Sequence, residues 1–109
     1  MPFAIVIVLS ISAGLIGYQQ FQQQDPYVQT VLSLTGSCER GHAIFQMNCA
    51  GCHGWEAHGK VGPTLEGVSQ RKSPRQLVAQ VTSGKTPPMP QFQPTAQEMA
   101  DLLSYLKQL

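Results

Sequence analysis

Cys49, Cys52 and His53 are the residues of this 109-residue chain whose types and spacing most directly specify a chemistry. They stand in the run Cys49-Ala50-Gly51-Cys52-His53, and Cys-x-x-Cys-His is the pattern by which a polypeptide takes up haem through two thioether bonds. Thiols three residues apart on one helical turn reach the two vinyl groups of a single porphyrin. The adjacent imidazole then lies under the iron and supplies its proximal nitrogen. One covalently attached haem c is therefore the expected cofactor, with His53 as a metal ligand.

Three other readings use the same residues. A Cys-x-x-Cys pair also serves dithiol exchange, but that motif belongs in a βαβ setting, and no strand-like alternation precedes Cys49. A zinc site would combine Cys49, Cys52 and His53 with His58 or His42. The adjacency of Cys52 and His53 makes a tetrahedron awkward, and Met89 is left unexplained. The third is a chance meeting of two buried cysteines with a histidine.

A haem iron with a protein ligand on each face needs a second donor, and a thioether there favours the reduced metal. Met47 lies two residues before Cys49, too near to cross to the distal side, and Met99 reads as core. Met89 sits 36 residues after His53 in Thr86-Pro87-Pro88-Met89-Pro90. Three prolines stiffen this loop, so little backbone entropy is left to lose when Met89 binds. The alternatives are a loop methionine that packs on the core, or a bis-histidine site using His42 or His58. Pro63, after Gly62, is expected to turn its carbonyl to the other ring N–H of His53, fixing the tautomer. An ordinary turn at Gly62-Pro63 is the competing reading.

The elements that must position these residues are helical. Ser37 caps a helix expected over residues 38–48, with Ala43, Ile44 and Met47 spaced for one apolar face. Ser73-Pro74 opens a second helix, in which Leu77, Val78 and Val81 face inward and which Gly84 ends. Thr95-Ala96-Gln97-Glu98 is a capping box for a last helix to about residue 107, with Met99, Leu102, Leu103 and Leu106 inside. The 72 residues from Cys38 onward make a marginal core without a bulky apolar cofactor.

Composition divides the chain. Residues 3–17 carry no charge, and the apolar stretch 2–18 is at the lower edge for a membrane-spanning helix, with Tyr18 and Phe21 as interface aromatics. A cleaved signal peptide competes with an uncleaved anchor. No Lys or Arg occurs before Arg40, so the basic segment of a signal is missing. The expected organisation is an N-terminal anchor with a glutamine-rich extension at 1–24, a linker at 25–36 opened by Asp25-Pro26, and a haem domain at 37–109. Net charge is +1 and charged residues are 12%, which excludes the concentrated basic face of a nucleic-acid binder.

Together, Gly41-x-x-x-Phe45, Cys49-Ala50-Gly51-Cys52-His53, Val61-Gly62-Pro63-Thr64-Leu65 and Thr86-Pro87-Pro88-Met89-Pro90 resemble class I cytochromes c. The resemblance implies an all-α fold around the haem, with Gly41 letting the first helix of the domain cross the last one closely near Phe45 and Tyr105. Asp25-Pro26-Tyr27-Val28, the run 41–49, Gly84-Lys85-Thr86-Pro87-Pro88-Met89-Pro90 and the run 99–106 further resemble the cytochrome cM family of cyanobacteria. That implies a haem domain tethered on the lumenal or periplasmic side of a thylakoid or plasma membrane.

The function this implies is one-electron transfer in photosynthetic or respiratory transport. Redox proteins are the expected partners, such as a quinol-oxidising cytochrome complex, a terminal oxidase or a photosystem. With both axial positions filled the iron offers no site to a substrate, so no enzyme activity and no small-molecule substrate are expected. A regulatory haem protein bound to a membrane complex is the rival, and a weak peroxidase formed when Met89 dissociates is a third. Arg71, Lys72, Arg75 and Lys85 are candidate docking charges. Cys38 reads as a small buried residue or as a thiol that pairs between chains.

Overall fold

The computed structural model describes residues 1–23 and 25–109. All regular structure among them is helical: α1 Pro2–Gln23, α2 Pro26–Ser33, α3 Cys38–Asn48, α4 Ala50–His53, α5 Val68–Arg71, α6 Pro74–Ser83 and α7 Ala96–Leu106. The fold class is all-α, as expected.

Pro2–Phe21 of α1 is exposed throughout, its large apolar residues Phe3, Leu9 and Leu15 included. This stretch is long and apolar enough, by length and composition, to cross a membrane. The 20 residues of that stretch at about 1.5 Å each give about 30 Å, matching the roughly 30 Å of a bilayer's hydrocarbon layer. The glutamine-rich extension continues this helix to Gln23, and Gln24 lies outside the described residues.

Within the stretch expected as a linker, residues 26–33 are helical. Asp25 does not merely break the chain: its side chain accepts the Tyr27 amide at 3.0 Å, and Pro26 occupies the first helical position. Tyr27, Val28 and Val31 turn one face to the core, and Val31 is 1% exposed. The Tyr27 hydroxyl donates to the Pro94 carbonyl at 2.9 Å, tying α2 to the segment that leads into α7.

The α3–α7 crossing is the centre of the domain. A Cβ at Gly41 would overlap the Asp101 carbonyl and press on the Tyr105 side chain, so only glycine allows the backbones this close. Phe45 is fully buried beside the crossing and meets Tyr105 at 5.2 Å between ring centroids, tilted by 47°. The buried positions of α3 are Gly41 and Phe45. The face expected from apolarity alone turns out otherwise: Ala43 is exposed, Ile44 half-buried and Met47 84% exposed. The close approach of α7 sets the buried side, and it selects the glycine rather than the larger residues.

Asp101 locks the crossing. It is buried, and its carboxylate accepts the Ser37 amide at 2.8 Å, Arg40 Nε at 3.1 Å and Gln97 Nε2 at 3.1 Å. Burial alone would raise its pKa. The bonds from Ser37, Arg40 and Gln97, with the charge of Arg40, outweigh burial and hold the carboxyl below the usual aspartate range.

α6 and α7 begin as their sequences dictate. Ser73 caps α6 and forms a reciprocal box with Gln76, and Gly84 ends the helix at φ 67°. Thr95 and Glu98 box the start of α7. Leu77, Val78 and Val81 of α6, and Met99, Leu102, Leu103 and Leu106 of α7, are all buried.

Substitutions at the crossing should be costly. Gly41→Ala is expected to lower the unfolding free energy by about 1–3 kcal/mol through overpacking, and Asp101→Ala by about 1–3 kcal/mol through orphaned donors, both read by urea denaturation of the haem-loaded protein. Because the folded pKa of Asp101 is depressed, its contribution is complete above the ordinary aspartate value of about 4 and is lost as pH falls through the folded value. Asp101→Asn should therefore flatten the acid limb of the stability profile; an unchanged acid limb would remove Asp101 from that role.

Candidate haem site

α3 delivers the cysteine motif almost without interruption. The Cys49 amide donates to the Phe45 carbonyl at 2.7 Å, and Cys49 keeps a right-handed helical conformation as it passes the chain to α4. The Cys52 and His53 amides both bond back to the Cys49 carbonyl, at 3.2 and 3.0 Å. The two thiols and the imidazole thus stand on one short turn. Both thiols are free, Cys49 half-buried and Cys52 exposed. Burial, and then the neighbouring Cys52, push the Cys49 thiol up to about 11.

His53 is 9% exposed, and its ring orientation is fixed from outside the motif. Nδ1 lies 2.8 Å from the Pro63 carbonyl oxygen. A carbonyl only accepts, so Nδ1 carries the proton, and Nε2 is left with a free lone pair. The loop that brings Pro63 back is fastened at each stage. The Gly59 amide donates to the His53 carbonyl at 2.7 Å, that of Gly62 to Cys52 at 2.6 Å and that of Leu65 to Ala57 at 2.9 Å. Gly62 packs flat on the imidazole, where a Cβ would come within 2.9 Å of Cε1.

Met89 is half-buried and packs against the core cluster. Within its loop the Met89 amide donates to the Thr86 carbonyl at 2.9 Å, and the loop is tied to α6 by the Phe92 amide donating to Val81 at 3.0 Å and Gln91 Nε2 to the Thr82 carbonyl at 2.9 Å. The Pro87–Pro88 peptide bond is cis. Gln80, which the sequence pattern does not single out, donates from Nε2 to Met89 Sδ at 3.5 Å and to Thr86 Oγ1 at 3.1 Å. A polar residue in a helix beside Leu77 and Val81 gives no sign of such a role until the loop is folded against it.

The rival donors lie elsewhere. Met99 is fully buried in the core and Met47 is 84% exposed. His42 stacks on Tyr105 at 4.8 Å and faces Gln46, and His58 pairs with the Glu66 carboxylate; both histidines are exposed. Among the described residues, no three His, Cys, Asp or Glu side chains are grouped to hold a metal ion, which leaves the zinc reading without a ligand set. A buried imidazole with one free nitrogen, a thioether presented on a fastened loop and two free thiols one turn apart suit a haem better than a bare ion.

The charged residues sort less simply than their sequence suggests. Arg71 braces the loop by donating to the Glu66 and Thr64 carbonyls, and Arg75 is half-buried. Lys72 and Lys85 remain exposed. Cys38 is half-buried against the core.

Residues 36–106 match the family model described as cytochrome C oxidase, cbb3-type, subunit III. The chain is 55% identical over 105 residues to a cytochrome c-553-like protein of Synechocystis sp., an alignment covering 96% of this chain and 97% of that protein. Among solved structures it is similar to cytochrome cL from Hyphomicrobium denitrificans, with a TM-score of 0.57 and 27% identity over 81% of this chain. It spans 55% of that structure's length.

Cys52→Ser is expected to leave a single thioether, and the pyridine haemochrome band of the denatured protein should then move to longer wavelength. An unshifted band would exclude Cys52 from attachment. Gly62→Val, which drives a side chain into the His53 ring, should sharply reduce the yield of haem-loaded protein.

Proposed function

Because this chain belongs to the class I cytochrome c family and carries one covalently bound haem c, we propose that it is a membrane-tethered carrier of single electrons in photosynthetic or respiratory transport. Cys49 and Cys52 would hold the haem covalently, and His53 and Met89 would supply the protein ligands to its iron. When bound, haem supplies a one-electron couple at the iron. The chain's own residues do the rest. Pro63 holds the proton on Nδ1 of His53, keeps Nε2 aimed as a donor and makes the imidazole more electron-rich. The loop from Thr86 holds the Met89 thioether in place at little further entropic cost.

The observation that carries this reading is the 2.8 Å contact between His53 Nδ1 and the Pro63 carbonyl. It gives a buried imidazole one tautomer and one free nitrogen, which is what a permanent metal ligand needs. With Met89 as a second protein ligand, the iron would have no site left for a substrate, so the proposal is a carrier and not an enzyme. α1 is the proposed tether. The likeness to a cyanobacterial protein over nearly its whole length, with the apolar α1, supports anchoring in a thylakoid or plasma membrane, and the proposal puts the haem domain on its lumenal or periplasmic side.

The route by which electrons leave is proposed to be the exposed side of the attachment turn. Gly51 and Cys52 are exposed there, Met47 lies one helical turn before Gly51, and the Gly62 amide, bonded to the Cys52 carbonyl, brings Val61 alongside. Met47 is 84% and Val61 74% exposed. An apolar rim, together with 12% charged residues overall, suits short-lived contact with a redox protein and weak electrostatic steering. A quinol-oxidising cytochrome complex as donor, and a terminal oxidase or photosystem as acceptor, are partners of this kind.

Met89→Ala tests the proposal. The variant is expected to keep its haem, bind carbon monoxide and cyanide readily, and show a lowered midpoint potential. Unchanged ligand binding and potential would remove Met89 from the iron.

A further inference from the structure

Almost no chain separates the proposed tether from the haem domain. α1 runs to Gln23, and only Gln24 stands between it and Asp25, whose side chain caps α2. Two Cα–Cα steps carry the chain at most about 8 Å from Gln23 to Asp25. Gln22 and Gln23 add about 3 Å of helix beyond Phe21. Asp25 therefore lies within about 11 Å of Phe21. Pro2–Phe21 matches the hydrocarbon layer in length, so Phe21 marks its edge. The headgroup layer outside that edge is about 5–7 Å deep. With α1 as the tether, α2 starts at the membrane surface.

α2 is also fixed to the domain. Val31 enters the core, and the Tyr27 hydroxyl bonds to the Pro94 carbonyl. The chain after it is held too, the Thr35 carbonyl accepting Gln97 Nε2 at 3.1 Å. On the outer side Gln29, Thr30, Leu32 and Ser33 are exposed, as is Leu34 beyond the helix. Leu32 is 39% and Leu34 37% exposed. No charged residue occurs from Pro26 to Cys38, a stretch bounded by Asp25 and Glu39. Leucines among hydroxyl and amide side chains, with no ion to desolvate, suit a headgroup layer: apolar tips enter the acyl boundary while polar groups stay hydrated. The tether keeps this face at a high local concentration of lipid, so weak contact suffices.

We infer that the outer side of α2, continued to Leu34, rests on the headgroup layer of the membrane that α1 crosses, with Leu32 and Leu34 reaching the acyl boundary. The inference rests on α1 as the tether. Lipid is the occupant because the face continues directly from the span and lies within its reach. Without charge on the face, the contact needs no anionic lipid and is not screened by salt. A domain held at the helix junction and on this face keeps one orientation to the bilayer, so its attachment turn is offered to partners from a constant direction.

The test uses the full-length, haem-loaded protein in nanodiscs of zwitterionic phosphatidylcholine. Cys38→Ser removes the free thiol, and one nitroxide is attached through Leu32→Cys, Ser33→Cys or Leu34→Cys. Ile11→Cys in α1 and Lys72→Cys at an exposed loop position give the hydrocarbon and water references. Electron paramagnetic resonance with the haem reduced reads collisions with oxygen, which concentrates in lipid, and with a water-soluble nickel chelate. Labels at positions 32 and 34 should lose most of the nickel contact shown by the Lys72→Cys label and gain oxygen contact, at low and high salt alike. Water-like readings there at either salt, with the Ile11→Cys label in hydrocarbon, overturn the inference. Should Leu32→Cys and Leu34→Cys not take up haem, a water-like reading from Ser33→Cys overturns it. An Ile11→Cys label that meets the nickel chelate would instead refute the tether itself, a distinct result.

Discussion

The close contact of α3 with α7 at Gly41 is the constraint on which the rest of the domain depends. Where a Cβ would collide with the Asp101 carbonyl, the two backbones can touch, and Phe45 and Tyr105 close over the gap. That contact sets the direction of α3, and α3 runs straight into Cys49. The Phe45 carbonyl, one turn beyond Gly41, accepts the Cys49 amide. The packing that stabilises the core is therefore also what aims the attachment turn. Asp101 guards the same point, with a buried carboxylate whose partners come from Ser37, Arg40 and Gln97.

Around that frame the site is assembled from two loops held in different ways. The loop after His53 is fastened by backbone bonds to the attachment turn itself, so the Pro63 carbonyl and the imidazole move as one unit. The loop bearing Met89 is fastened to α6 by backbone bonds and by the side chains of Gln80 and Gln91. The proposed proximal ligand is thus governed by its own turn. The loop of the proposed distal ligand is held by another helix, α6.

Local signals in the sequence make much of this arrangement legible. Cys49, Cys52 and His53 carry their chemistry in spacing alone, while Ser73-Pro74 and Thr95 with Glu98 start helices through bonds that form within four residues. The features that stay hidden depend on distant partners. Asp25-Pro26 reads as a break, yet the same pair opens α2, because Val31 at the far end of that helix finds a core to enter. Apolar spacing makes Ala43 and Met47 look like the inner face of α3; only the resemblance that reads Gly41 as a crossing point marks the side, with Gly41 and Phe45 buried, that α7 covers. Gln80 is an ordinary helical glutamine until the proline loop lays Met89 beside it.

Everything proposed for the iron turns on one pair of ligands, His53 on one face and Met89 on the other. Near-infrared magnetic circular dichroism of the oxidised, haem-loaded protein at neutral pH tests that pairing most directly, because the charge-transfer band identifies the axial ligands. A low-spin band of the histidine–methionine type is the predicted result. A bis-histidine band, or a high-spin spectrum, would contradict it.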